Sequence, residues 1–530
     1  MKIKRILTVF LLFVFSAFLF ADFIVIGDVR LIIEDSLRRQ PNPNFLENIQ
    51  EINLLKPEAV FMIGDLVYGY DDRKEVLEEE WKKFQEAIHL LKVPYYLVPG
   101  NHEIFGEEFA LELYKKYAGP TYWAQVVGNK LFIALNTEEL GYEASLSPEE
   151  IKFLENTLEK YRDIKKKFIL MHRPLWWDYE DHNLWMKRIH PLLLKYGVEA
   201  VFAGHYHQYE YREINGIKYI VTGGGGAEAS GEELNGGFNH FVYVKEGADG
   251  DEYLVMGARG IFPVDFYTHQ EREKVKNFLR KLSPVALPGK DTESVISFKN
   301  IFNKTLKFEL DLQNTGNMYF TAAPEKVEFL LLPGETLNIP VKLRYRVRDM
   351  EELFPIPVLK IKATDEKGDL FMWRGVELRV PGDNFIQKLW ISKPVKFTYH
   401  YNRRDEVPEI YKKKLSKKFL KKLARQIELD GKEIEPEFNH KFDLEKEVFP
   451  NIGVYAFLKI DINSDKEVER EAIIEMRELY RVYLNGELIY DNEDKDRYSY
   501  ITLPLKKGKN TLIILAVQIG GSWTFRMALK

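Results

Sequence analysis

The sequence predicts an α/β domain at the front of the chain with β-sandwich structure behind it, and three observations lead there. From Asp22 to about Pro263, short apolar runs alternate with amphipathic segments of helical length. From about residue 293 the helical segments give way to short strands of period-two alternation with turn residues between them. The chain has 530 residues, more than one hydrophobic core serves, so two to four domains are expected.

Taken in order, the first segment is an address label. Lys2, Lys4 and Arg5 precede an apolar run over 6–20, and the small Ala21 stands before Asp22. This is the pattern of a signal peptide over 1–21. It places the mature chain outside the cytoplasm: periplasmic, cell-surface or secreted. An uncleaved membrane anchor is the alternative, but the run falls short of the about 20 apolar residues a spanning helix needs. Cysteine is absent, so an exported chain must be held by packing and ion pairs without disulfides. A formal charge of −5 leaves no basic surplus for nucleic acid as a stable partner.

The α/β domain is expected over 22–270. Its strand candidates are "FIVIG", "AVFMIG", "YYLVPG", "LFIALN", "KFILMH", "AVFAGH" and "KYIVTGG". Helical patterns lie between them, and "SPEEIKFLENTLEKY" opens on Ser147, Pro148 and Glu150, the spacing of a capping box. A helical linker follows over 271–292, and a small Ig-like β-sandwich over 293–383. A third unit spans 384–530, where Asn485-Gly486 inside "RVYLNGELIY" signals a two-residue hairpin turn.

The polar residues of the first domain sit at strand ends. Asp28 follows "FIVIG", Asp65 follows "FMIG", and Asn101-His102 follow "YYLVPG". His172 ends "KFILM", and His205 and His207 follow "AVFAG". The carboxyl ends of strands form the ligand rim of open α/β sheets. One such residue is commonly a cap or a satisfied core group; five strand ends delivering Asp, Asn or His are hard to explain that way. Carboxylate, amide oxygen and imidazole without thiolate suit Fe, Mn, Zn or Co. Six or seven donors exceed the needs of one ion, and two ions sharing a carboxylate is the economical arrangement. Such a pair supports in-line displacement at phosphorus.

The blocks "GD" (27–28), "GDLVY" (64–68), "GNHE" (100–103), "MH" (171–172) and "GHYH" (204–207) together resemble the calcineurin-like metallophosphoesterase signature. Most of that superfamily has Asp-x-His in the first block. Here Asp28-Val29-Arg30 stands instead. That departure, with "GDLVY" and "GHYHQYE", resembles the purple acid phosphatase branch, where a tyrosine phenolate binds Fe(III). The resemblance implies a four-layer α/β/β/α sandwich and a centre of two metal ions, Fe with a second Fe, Zn or Mn. By matching position, one ion takes Asp28, Asp65, Tyr68 and His207, and the other takes Asp65, Asn101, His172 and His205. His102 would hold phosphate and act as general acid while a metal-bridging hydroxide attacks.

Other residues stay open between roles. Tyr68 as a packed aromatic is the bland alternative to ligation. Arg30 stands where purple acid phosphatases have glycine; it either binds a phosphate oxygen or pairs with a surface carboxylate. His182 either contacts substrate or is an ordinary loop histidine. The glycine-dense stretch 222–240 is expected at the rim of the site, with His240 bracing it. The lysine-rich segment 411–426 reads as a helix packed on its own domain, with docking to an anionic surface as the alternative. The C-terminal unit resembles a galactose-binding-like jelly roll, and Trp523 is either a sugar platform there or a core residue.

The function expected is hydrolysis of phosphate monoesters by an exported dimetal enzyme. Its substrate would be a phosphorylated small molecule or an envelope phosphoester, with glycan a candidate ligand of the C-terminal unit. Phosphodiester cleavage at the same centre is the enzymatic alternative. A non-catalytic envelope- or glycan-binding protein on this scaffold is the alternative of another class.

Overall fold

The computed structural model describes residues 22–35, 38–139, 145–177, 180–247, 250–257, 260–397, 407–448, 453–519 and 522–530. The expected signal peptide lies outside them. Along the front of the chain run strands β1 (Phe23–Ile26), β2 (Ile32–Asp35), β3 (Arg38–Gln40), β4 (Ala59–Ile63), β5 (Tyr95–Val98), β6 (Trp123–Val127) and β7 (Lys130–Ala134). They continue as β8 (Lys166–Leu170), β9 (Ala200–Ala203), β10 (Tyr209–Ile214), β11 (Ile217–Thr222), β12 (His240–Gly247), β13 (Gly250–Gly257) and β14 (Gly260–Pro263). Two six-stranded sheets result, in the orders β14-β13-β12-β1-β4-β5 and β10-β11-β9-β8-β7-β6.

Why the central strands read as unbroken apolar runs follows from their packing. Ile24, Ile26, Val60 and Met62 face one helix layer, against Phe45, Ile49, Trp81 and Phe84. Phe23, Val25 and Phe61 face the other way, into a core shared with Phe132, Phe168 and Phe202 of the second sheet. On that sheet's far side Ile133, Ile169 and Val201 meet Leu154, Trp176 and Leu193 of the second helix layer. Three cores separate four layers, α/β/β/α, as expected. Six of the seven expected strands lie inside the two sheets, and the seventh, β5, forms an edge of the first. The antiparallel margins were not anticipated: β6, β10 and the β12–β14 meander carry Gln125, Arg212 and Glu252, polar residues that a strand facing solvent on one side tolerates. The capping box at Ser147 is half made. Ser147 Oγ accepts from the Glu150 amide at 3.3 Å, but Glu150 turns inward and accepts the Asn136 amide instead.

Behind this domain, helix His269–Leu282 sends Val275, Phe278, Leu279 and Leu282 into the core of a β-sandwich with Phe298, Phe308 and Ile361. That sandwich has a three-stranded and a four-stranded sheet, and a seven-stranded sheet over a four-stranded one follows it. Asn485 (φ 53°) and Gly486 (φ 89°) turn the chain between strands Tyr480–Leu484 and Glu487–Asp491, both in the left-handed region such a hairpin requires. Helix Lys417–Asp430 lays Leu420 and Ile427 against Phe457, Tyr483 and Leu515, covering the outer face of the seven-stranded sheet. Trp523 is fully buried between the last two sheets with Phe525 and Met527, so it is a core residue and not a sugar platform. Among the described residues, no helix is long and apolar enough to cross a membrane.

Candidate metal centre

Five loops leave the carboxyl ends of the parallel strands β1, β4, β5, β8 and β9 and converge. Two of them carry their carboxylates in strained backbone: Asp28 has φ 58° and Asp65 φ 54°. Non-glycine residues hold this conformation only where the surroundings over-determine it. Gly64 (φ 89°) is required beside Asp65, because a β-carbon there would run into the His172 ring. The surroundings of Asp65 centre on Glu103, fully buried, whose carboxylate accepts the amides of Asp65 (2.9 Å), Leu66 (2.6 Å), Val67 (3.0 Å) and Gly100 (2.8 Å). One side chain thus ties the Asp65 loop to the Asn101 loop.

The imidazoles are oriented just as firmly. His172 Nδ1 lies 2.9 Å from the Ile63 carbonyl, which only accepts, so Nδ1 carries the hydrogen. Its Nε2 then points, without a hydrogen in the neutral ring, at Asp65 Oδ1 (3.1 Å) and Asn101 Oδ1 (2.9 Å). His207 repeats the device: Nδ1 donates to the Glu228 carbonyl at 2.9 Å, and Nε2 faces Asp28 Oδ1 at 3.4 Å. Asp28 Oδ1 and Asp65 Oδ2 are buried without a hydrogen-bond partner. Lone pairs aimed at lone pairs in a buried site call for a positive charge between them. Asp28, Asp65 and His172 bring donor atoms within 4.8 Å of one another. His205 joins through Nδ1, 2.8 Å from Asn101 Oδ1, and its amide donates to Asp28 Oδ2 at 2.9 Å.

The electrostatics of the protein alone show the same need. Burial by itself would raise the Asp65 carboxyl, but the charges of His102 and His172 reverse this and hold it well below the usual range. Burial would lower His172, yet Asp65 and Asp28 push it up to about 10. Asp28, deeper still, is raised by burial. A proton on His172 fills, in part, the role the pocket offers a metal cation.

At the mouth, Arg30 Nη1 lies 2.9 Å from His102 Nε2. His102 Nδ1 faces the Tyr68 carbonyl, and burial followed by Arg30 draws this imidazole down to about 4 against the pull of Asp65. Arg30 therefore faces the cluster and pairs with no surface carboxylate among the described residues. The Tyr68 ring stands edge-on to His102, centroids 6.2 Å apart, with the Arg39 guanidinium 4.8 Å over its face. Its hydroxyl makes no hydrogen bond among the described residues. The phenol that does enter the cluster is Tyr70, whose oxygen accepts from Asn101 Nδ2 at 2.6 Å and so turns the Asn101 Oδ1 toward the two imidazoles. His182 is held by the Trp176 carbonyl at 2.6 Å and touches none of the cluster. His240 is buried against Phe238 and braces the glycine-rich rim.

Residues missed by sequence reasoning include Glu103, inside the block at 100–103, and Tyr70, two positions beyond the block at 64–68. A third is Arg173, adjacent to His172. Its Nε reaches Glu138 at 2.9 Å and its Nη1 reaches His205 Nε2 at 3.2 Å. A charged residue directly after a buried candidate ligand was the available signal for Arg173.

Residues 21–209 match the family model for calcineurin-like phosphoesterases. Over these residues the chain is similar to calcineurin-like phosphoesterases. It is 24% identical over 219 residues to tartrate-resistant acid phosphatase type 5 of Homo sapiens, covering 34% of this chain and 65% of that protein. It is 31% identical over 174 residues to a probable glycerophosphodiester phosphodiesterase GpdQ of Arcobacter nitrofigilis, covering 30% of this chain and 61% of that one. Against human serine/threonine-protein phosphatase CPPED1, identity is 26% over 196 residues, with 33% and 62% covered. The chain thus spans under two thirds of the length of these phosphoesterase relatives. Among solved structures, a dimetal phosphatase from Danio rerio aligns at 14% identity and TM-score 0.33, covering 45% of this chain and 95% of that one.

Proposed function

We propose that this chain is an exported dimetal phosphohydrolase whose first substrates are phosphate monoesters. The observation that supports it most is the matched pair His172 and His207, each pinned through Nδ1 with a bare Nε2 turned on a carboxylate oxygen. Two cation positions follow: one among Asp28, Asp65 and His207, the other among Asp65, Asn101, His172 and His205. The donors suit Fe with a second Fe, Zn or Mn. Bound there, such ions supply Lewis acidity toward phosphoryl oxygens and acidify water.

The remaining work falls to the chain's own side chains. Arg30 presents a planar fork at the mouth and holds a phosphoryl oxygen. His102, with Nδ1 fixed on the Tyr68 carbonyl, keeps Nε2 beside that fork; an anionic phosphoryl group bound at the mouth favours its protonated form, and Nε2 then passes that proton to the leaving oxygen. Two adjacent donors of this kind fit the doubly charged end of a monoester better than the singly charged link of a diester. Tyr68 would join Asp28, Asp65 and His207 around the first ion if its ring turned out from under Arg39. With Fe(III) loaded this gives a visible charge-transfer band that Tyr68→Phe abolishes.

The deciding measurement compares p-nitrophenyl phosphate with bis(p-nitrophenyl) phosphate after loading with Fe, Zn or Mn, with ions per chain counted by elemental analysis. Faster turnover of the monoester is expected. Two bound ions and no turnover of either substrate would defeat the reading. Export is checked separately: the N-terminus of the mature protein should begin at Asp22.

A further inference from the structure

The glycine-rich stretch 223–238 is one segment with two anchorages. Its first half belongs to the metal centre. Gly225 and Ala227 donate their amides to the carbonyls of Gly27 and Asp28, each at 2.8 Å, and Ser230 donates to the His207 carbonyl at 2.7 Å. The Glu228 carbonyl is the partner that holds His207 Nδ1. Its second half, beyond Gly231 (φ 102°), belongs to the neighbouring β-sandwich. There Glu232, 3% exposed, accepts the Trp373 amide at 2.9 Å and the Arg374 guanidinium. Asn235, 5% exposed, donates to the Phe371 carbonyl, and Leu234 packs against the sandwich core. The hydrogen-bond partners all lie on one strand, Leu370–Glu377.

We infer that Glu232 and Arg374 are positioning residues of the metal centre: the second domain, through this ion pair, holds the Glu228 carbonyl where it orients His207. The inference rests on the dimetal reading and adds a role for the sandwich in completing one of the two ion positions. The geometry is directional. Of the imidazoles, only His207 takes its orienting hydrogen bond from this segment among the described residues, because His172 is set by Ile63 and His205 by Asp28 and Asn101; Asp28, whose carbonyl the segment also holds, belongs to the same ion position. A loosened clamp therefore weakens the ion among Asp28, Asp65 and His207, and leaves the other untouched. Partners of a ligand beyond the first contact typically change metal affinity by about 10–100-fold. An effect near the lower end is expected for a pair one step further out.

The test is a calorimetric titration of the full-length apoprotein with Zn(II) and with Mn(II). The wild type should take up two ions. Arg374→Ala should retain the first step and weaken the second about tenfold, and Arg374→Lys should restore most of it. Arg374→Ala also leaves Glu232 buried without its partner. Should that variant not fold, Glu232→Gln, with folding followed by circular dichroism, takes its place and the same weakened second step is expected. A purely structural role for the pair would lower the apoprotein's melting temperature without separating the two steps. Two ions in the wild type and unchanged steps in the folded variants overturn the inference alone. No second ion in the wild type overturns the dimetal reading and the inference with it.

Discussion

Two buried charge clusters, one in each half of the molecule, are both built around a pair of carboxylates and finished in opposite ways. In the rear half Arg526, 1% exposed, is saturated. Nε donates to Glu475 (2.8 Å), Nη1 to Glu377 (2.9 Å) and to the Asn439 carbonyl (3.1 Å), and Nη2 to Glu377 (2.8 Å), with Glu475 a further 2.6 Å from Nη2. The carboxylates are completed from the other side, Glu475 by Arg497 and Glu377 by Asn439. In the front half Asp28 and Asp65 are as deeply buried, yet each keeps an oxygen without a partner, and imidazole lone pairs face them. Burying charge costs the same in both places. Where donors and acceptors balance, the cluster joins two domains. Where acceptors exceed donors, the imbalance is the binding energy held for a cation.

The widest separation of the two clusters should come from removing one carboxylate. Asp65→Asn takes away the oxygen shared by both ion positions, and hydrolysis of p-nitrophenyl phosphate should fall on the order of 10³-fold. The apoprotein should lose little stability, since the attraction of Asp65 for His172 and its repulsion of Asp28 go together. A large loss of apoprotein stability would mean that Asp65 serves the fold as Arg526 does. The converse change is Arg526→Ala, which strands Glu377 and Glu475. It should cost roughly 3–5 kcal/mol, the range for breaking a buried ion pair from one side, read as a lower melting transition of the rear domains. Turnover per bound ion should stay at the wild-type level.

The same contrast explains what the sequence disclosed. The candidate ligands were legible because each is a polar residue ending an apolar strand, and Asp28, Asp65, Asn101, His172, His205 and His207 lie side by side in the structure. The four layers were legible because strands buried on both faces leave no polar positions. What escaped were residues that act through others. Glu103 looks like any acid after a histidine, and only the convergence of four amides on it shows its task. Tyr68 and Tyr70 share one loop and differ in where their rings point, which spacing does not encode. Arg526 lies 149 residues from Glu377, a separation no local pattern bridges. The half-made cap at Ser147 has a related cause, since Glu150 is spent inside the domain on the Asn136 amide.

That inward turn of Glu150 supplies the smallest effect and a third test of the contrast. Burial, opposed only in part by the Asn136 amide, pushes the Glu150 carboxyl up to about 9. Glu377 goes the other way: burial would raise it, but the hydrogen bonds and charge of Arg526 bring it down to about 2. The linkage signs are opposite. Glu150 binds its proton more tightly when folded, so its contribution is complete below the unfolded value near 4.5 and is lost as pH rises toward 9. Glu377 binds its proton more weakly when folded, so its contribution is complete above 4.5 and is lost as pH falls toward 2. In calorimetry of the apoprotein the front-domain transition should therefore drift down between pH 5 and 9, and Glu150→Gln should flatten that drift. The rear transition should drift less through this range, where Glu445, raised by burial to about 7, loses its contribution, and should drop again on the acid side. If both transitions move together with pH, the balance of donors and acceptors around these two carboxylates is not what distinguishes the two halves.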